Sequence, residues 1–322
     1  MNDPVESVWT DVGDAEVENP EWVVENILPV GLSLLVGPPK SYKSAVELAL
    51  IMNATGVPNS VLPEDLSACH KPGRALALSM EAQAGVLRHT AKEGFGVDIP
   101  NDGRFLACAD PWRFRLDQPQ DTKELLEWAD LLEANVLAID PLRNCHSLDE
   151  NDSGGMIQML QPFQQWAVRN HKAVILVHHS RKLNDDKDGG KRLATANDIR
   201  GTSALLGMAD AALSITAKSH GGLIHIDAVF KRGEAWQRTI QLGVWGATGV
   251  ESISSETKMV FGLVATGLGP AAIASAMKLT KTDLSKHIND LQRLGALTGD
   301  GKPTSNGSTL VESAVRKYAP ST

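Results

Sequence analysis

The stretch GPPKSYKSA, residues 37–45, sets a lysine beside a serine directly after an apolar run, GLSLLV at 31–36. Those residue types at that spacing suit phosphate binding. Successive backbone N–H groups at a helix N-terminus make a concavity for an anion, and the helix dipole favours negative charge there. Lys43 would then reach the terminal phosphates, and the Ser44 hydroxyl would ligate a divalent cation. The pattern G-x-x-x-x-G-K-[ST] asks for glycine where this chain has Tyr42. That departure matters only if position 42 needs a positive φ, which costs an L-residue roughly 1–2 kcal/mol. A micromolar ligand supplies about 8 kcal/mol, so Gly37, Pro38, Pro39, Lys40, Ser41, Tyr42, Lys43 and Ser44 stand together as a candidate nucleotide loop.

Further polar residues end other apolar runs. VLAIDP puts Asp140 at a strand tip, where a carboxylate holds the shell of a phosphate-bound Mg²⁺. ALALSME puts Glu81 at a second tip, as a base orienting an attacking water would be. AVILVHH ends a third run with His178 and His179. A metal centre on the two histidines lacks any carboxylate or cysteine at ligand spacing, which leaves phosphate contact as the reading.

These tips require a scaffold. From Gly31 to about Val250, short apolar runs (32–36, 75–79, 136–139, 173–177, 211–215 and 223–229) alternate with segments of helical period such as 122–133 and 155–170. Runs buried on both faces and joined by helices predict an α/β fold, a mostly parallel sheet covered on both sides. Two polar insertions, 143–155 and 182–199, follow strands at their carboxyl ends, where ligands collect in open sheets.

Beyond Ser252 the pattern becomes helical. Segments 256–266, 271–277 and 281–294 read as helices, the last capped by Gly295, and ALTGDGKPTSNGSTLVESA has the look of a β-hairpin wing. That order resembles a winged helix-turn-helix, for DNA contact or for docking a protein. From Glu256 onward eight Lys/Arg face five Asp/Glu, whereas the whole chain carries a net charge of −8. The C-terminal segment is therefore the better candidate for touching nucleic-acid phosphates.

Composition excludes other classes. With 322 residues, 42 % hydrophobic and 22 % charged, the chain is of ordinary globular type, and no apolar run approaches the roughly 18 residues of a membrane span. Three scattered cysteines, outside any C-x-x-C spacing, argue against a disulfide framework or a zinc site. The acidic N-terminal residues 1–19 have no apolar leader pattern and read as a flexible segment. A cytoplasmic setting is expected.

In order along the chain, GPPKSYKS, ALSMEA, VLAIDPLRNCHSLDENDSG, VILVHHSRK and IRGTSALLGMADAAL resemble the RecA-type ATPases of the plasmid RepA-like hexameric replicative helicases. The resemblance covers about residues 20–250. It implies a RecA-like P-loop core at 20–252 with a winged-helix-like addition at 253–322, binding ATP and Mg²⁺ between subunits of a homo-oligomeric, hexameric ring. It further implies Glu81 as catalytic base and Asp140, with Ser44, at the metal. His179 becomes the phosphate sensor, with His178 second to it. Arg200 is implied as the arginine supplied to a neighbour's nucleotide, the alternative being a surface salt bridge, and Lys231 and Arg232 are second candidates for that role. Loops 143–155 and 182–199 would grip single-stranded DNA, and 253–322 duplex DNA or a replication protein. The activity implied is ATP-driven DNA translocation or unwinding in plasmid or phage-like replication. A non-unwinding DNA-binding ATPase switch and an inactive nucleotide-binding regulator remain as alternatives.

Overall fold

A computed structural model describes residues 19–57, 59, 61–181, 193–217, 223–242, 255–293, 296–298, 301–304, 307 and 311. The acidic N-terminal segment, most of the 182–199 insertion with its four basic residues, Gly295 and part of the expected wing lie outside the described residues.

The strands are β1 (Trp22–Val24), β2 (Leu28–Pro29), β3 (Gly31–Gly37), β4 (Arg74–Ser79), β5 (Phe105–Ala107), β6 (Ala134–Asp140), β7 (Ala173–His179), β8 (Ala211–Ala217), β9 (Leu223–Phe230) and β10 (Trp236–Gln241). The first two form a small antiparallel pair. The other eight make one sheet in the order β10-β9-β8-β3-β7-β6-β4-β5. Neighbours from β8 through β5 are parallel, while β9 and β10 run antiparallel at one edge. The fold is an α/β RecA-like core with a mostly parallel, mixed sheet.

Side-chain alternation sends successive residues to opposite faces of the sheet. On β7, Ala173, Ile175 and Val177 join the cluster under helix α1 (Lys43–Ala54), while Val174 and Leu176 join the other. That second face is covered by α3 (Pro119–Leu131), α4 (Ser153–Arg169) and the short α5 (Ala204–Met208); α2 (Ala84–His89) follows β4. The expected helices at 122–133 and 155–170 are thus α3 and α4, each starting two or three residues earlier. Asp152 caps α4, its carboxylate accepting from Gly154 N at 3.0 Å.

Helices α6 (Ser255–Ala265), α7 (Pro270–Met277) and α8 (Lys281–Arg293) share a separate apolar cluster that includes Val260, Phe261, Ile273, Leu284 and Leu291. Where the sequence suggested a hairpin wing, the described residues show one antiparallel bridge, Leu297 with Pro303, and helical conformation at Gly307 and Val311.

Candidate active site

The ends of β3, β4, β6 and β7 that precede the next helix lie side by side. Register places Gly37 opposite His179 and Ser79 opposite Asp140, so the loop, Glu81, Asp140 and the histidines share one end of the sheet. Ser180 N donates to Gly37 O at 3.1 Å, tying the end of β7 to the start of the loop.

The loop enters α1 through two left-handed residues, Lys40 at φ 62° and Tyr42 at φ 69°. Position 42 therefore has the conformation for which the motif's glycine is suited. What offsets the strain is packing: the Tyr42 ring lies against the apolar cluster under α1, and its carbonyl accepts from Ala45 N and Val46 N at 3.1 and 3.0 Å. Gly37 is required for a different reason. A Cβ there would sit 2.3 Å from Ile215 O and 2.6 Å from Ser41 Oγ.

Lys43 is buried, and its Nζ donates to Gly37 O at 3.0 Å and Pro38 O at 2.9 Å. Burial lowers its pKa to about 8, against the charges of Asp140 and Glu81, which raise it. Ser44 Oγ donates to Asp140 Oδ2 at 2.6 Å, and Asp140 is itself buried. These two oxygens are hard ligands of the kind Mg²⁺ prefers, and the buried Ser41 hydroxyl of the same loop has no hydrogen-bond partner among the described residues. The donor set thus suits a phosphate-bound Mg²⁺.

One member escaped the motif reading. Glu47, on the same face of α1 three residues after Ser44, is buried against Asp140. Burial first, then the charge of Asp140 and a hydrogen bond with it, raise its pKa well above the usual carboxylate range. These contacts favour the neutral form of the Glu47 carboxyl. Its spacing from Ser44 was the available signal.

The two histidines part company. His179 is half-buried and lies in the fields of Lys43, Glu81, Asp140 and Arg200. Burial, followed by the Lys43 charge, lowers its pKa. His178 is buried on the other face, its Nε2 2.9 Å from Arg200 O. Burial lowers its pKa as well, so the neutral ring donates through Nε2. Glu81 stands exposed beside Lys43 and His179, open to a substrate water.

Arg200 does not enter this chain's own loop. Its Nε pairs with Glu150 Oε2 at 3.2 Å, and the side chain is more than half exposed. Lys231 and Arg232 follow β9, whose antiparallel direction pairs Phe230 with Ala211. They sit at the opposite end of the sheet from Gly37, so this chain's own site does not include them. Their expected role could be exercised only toward another subunit. The insertion 143–155 is not wholly solvated either, since Cys145, His146 and Glu150 are buried.

Among the described residues no helix is long and apolar enough to cross a membrane, and no group of His, Cys, Asp or Glu has the arrangement of a metal site. No curated protein matches the sequence. Among solved structures the chain is similar to an "ATPase Domain", with TM-score 0.47 and 11 % identity over 66 % of this chain and 81 % of that one. It is also similar to the "Crystal structure of the RadB recombinase", with TM-score 0.46 and 14 % identity over 67 % and 88 %. A family model described as "AAA domain" matches residues 3–185, a span that takes in the loop, Glu81, Asp140 and both histidines. More than half of the chain falls within that match, and the chain belongs to the AAA domain family of P-loop ATPases.

Proposed function

We propose that the chain is the motor subunit of a ring-forming, ATP-driven DNA translocase or helicase of plasmid or phage-like replication. The observation that carries the chemistry is the Ser44–Asp140 hydrogen bond, 2.6 Å long, beside a buried lysine at the N-terminus of α1. In this reading Lys43 and the loop amides hold the phosphates of ATP, and Ser44 and Asp140 hold Mg²⁺. Bound Mg²⁺ neutralises charge developing on the phosphates. Glu81 accepts the proton of the attacking water, and His179 contacts the γ-phosphate. Positioning and electrostatics, rather than covalent chemistry, carry phosphoryl transfer.

Arg200 is assigned to a neighbour's nucleotide, with Lys231 and Arg232 as second candidates. The ATPase core spans 20–252, preceded by the segment 1–19, and 253–322 contacts duplex DNA or a replication protein. Loops 143–155 and 182–199 contact single-stranded DNA. The partial burial of the first, which carries one Lys/Arg against four in the second, favours the second as the main grip.

A DNA-binding ATPase switch that does not unwind is the second reading. It is favoured by the C-terminal helices, whose own apolar cluster suits a recognition module. One experiment separates the two: ATP turnover with and without single-stranded DNA, on a sample whose mass is measured with ATP present. DNA-stimulated turnover by a hexamer supports the motor, and turnover by a smaller species supports the switch. A monomer with no turnover overturns both. Glu81→Gln keeps ATP binding and abolishes hydrolysis, and unchanged turnover in that variant would remove Glu81 as the base.

A further inference from the structure

Glu150 belongs to no part of the phosphate site, yet three cationic or ionisable side chains converge on it. Its carboxylate is buried, with Arg200 Nε at 3.2 Å, Arg143 Nε at 3.8 Å and His178 Nδ1 at 3.9 Å. A buried carboxylate left without a cation is strongly unfavourable, so Glu150 has a physical reason to keep hold of an arginine. Arg200 meets it through Nε, the guanidinium nitrogen nearest the side-chain stem. The two Nη groups form no hydrogen bond with any described residue, and the side chain is 59 % exposed. The half of the fork that would meet a phosphate is the half that Glu150 leaves open.

The backbone around the arginine is held just as closely. Arg200 N donates to His179 O at 3.2 Å, and His178 Nε2 bonds Arg200 O at 2.9 Å. Thr202 N donates to Glu150 O at 2.8 Å. Between them Gly201 has φ +88°, and a Cβ on it would lie 2.5 Å from Glu150 O, so the glycine permits this approach of the two segments. A hydroxyl–hydroxyl bond between Ser153 and Thr202 adds the first turn of α4 to the same junction.

We infer that Glu150 is a positioning residue for ATP hydrolysis: it fixes Arg200 with its Nη edge facing out of the chain, and so sets where a neighbouring subunit's phosphates meet that arginine. The inference rests on the assignment of Arg200 under the proposed function. Through its carbonyl, Glu150 also joins the 143–155 insertion to Thr202, two residues after the arginine.

The test uses the full chain, assembled with ATP. Glu150→Gln keeps the shape and removes the charge. It is expected to lower kcat by roughly tenfold, the scale on which misplacing a transition-state group acts, with KM for ATP and assembly mass within about twofold of the parent. Arg200→Ala lowers kcat at least as far, and the double variant is no slower than Arg200→Ala alone, because both changes remove one function. A normal kcat in Glu150→Gln beside an impaired Arg200→Ala overturns the positioning role alone, and so does an additive double variant. A normal kcat in Arg200→Ala overturns the arginine assignment and this role with it. If the glutamine variant does not fold, Glu150→Asp keeps the charge and is expected to lower kcat by about threefold; a normal rate in that variant overturns the inference.

Discussion

Ser44 Oγ lies 2.6 Å from Asp140 Oδ2, joining the first turn of α1 to the end of β6 across 96 residues of chain. The fold itself sets the two oxygens at hydrogen-bonding distance. Ser44→Ala is therefore expected to weaken ATP binding by about 10- to 100-fold when Mg²⁺ is present, the usual scale for loss of a metal-site group. With the metal chelated, affinity should change by less than about threefold. Titration of a fluorescent ATP analogue under both conditions reads the difference, and equal losses would mean that the serine acts on the phosphates alone.

Tyr42 combines a strained backbone with a packed ring, and the two can be separated. Tyr42→Gly relieves about 1 kcal/mol of left-handed strain but forfeits burial of the ring, roughly 2 kcal/mol for a half-buried aromatic. Tyr42→Ala forfeits the ring and keeps the strain. Urea unfolding should rank the proteins parent, then glycine, then alanine. A glycine variant more stable than the parent would show that the ring contributes less than the strain costs.

Lys43 makes nucleotide binding dependent on pH. Its pKa of about 8 means the amine is charged at neutral pH and loses its proton as pH rises through that value. A polyphosphate favours the charged form, so affinity should be flat below about pH 7 and fall by up to tenfold per unit above about pH 8. Calorimetry at about pH 8.5 in buffers of different ionisation heat should show proton uptake on binding. Folding moves the other way. The unfolded lysine titrates near 10.5, so between about 8 and 10.5 the unfolded chain holds more protons and this residue's contribution to stability rises with pH. Lys43→Gln should lose both dependences.

Burial and the neighbouring Asp140 hold the Glu47 carboxyl well above the value near 4.5 that it has in the unfolded chain. Above that value the folded state binds more protons than the unfolded one, so this residue's contribution to stability declines as pH rises. Glu47→Gln keeps a donor toward Asp140 without that titration. It should melt above the parent at about pH 7–8 and converge with it near about pH 4. Glu47→Ala leaves Asp140 without this partner and opens a void, with an expected loss of about 1–3 kcal/mol. Differential scanning calorimetry across pH distinguishes the three proteins.

Strands β3, β4, β6, β7 and β8 were legible because each is an apolar run buried on both faces, and α3 and α4 because their apolar residues recur with helical period. The three-residue parallel β5 at one edge and the polar antiparallel β10, WQRTIQ, at the other lacked such a signature, and both edge strands went unread. Asp140, Glu81 and the histidines were found because they end recognisable strands. Glu47 and Glu150 were not, since an acid on a helix or in the run DENDSG reads as solvated. Which carboxylate turns inward is decided by tertiary contacts, with Asp140 in one case and two arginines in the other. The requirement at Tyr42 was legible only as a condition, positive φ, which the fold then meets. For Lys231 and Arg232 the strand was read from its apolar run, which carries no signal of the antiparallel direction that the fold gives it.

Lys40 and Tyr42 hold their left-handed turns without the help of glycine. Glycine in those places would give the free chain a wide choice of backbone conformations, each to be surrendered when the loop closes around phosphate. Bulkier residues narrow that choice in the unfolded chain, and the packed tyrosine ring narrows it further in the fold. The conformational entropy of ordering the loop is thus lost largely when the protein folds, which leaves more of the ligand's interaction energy to appear as affinity.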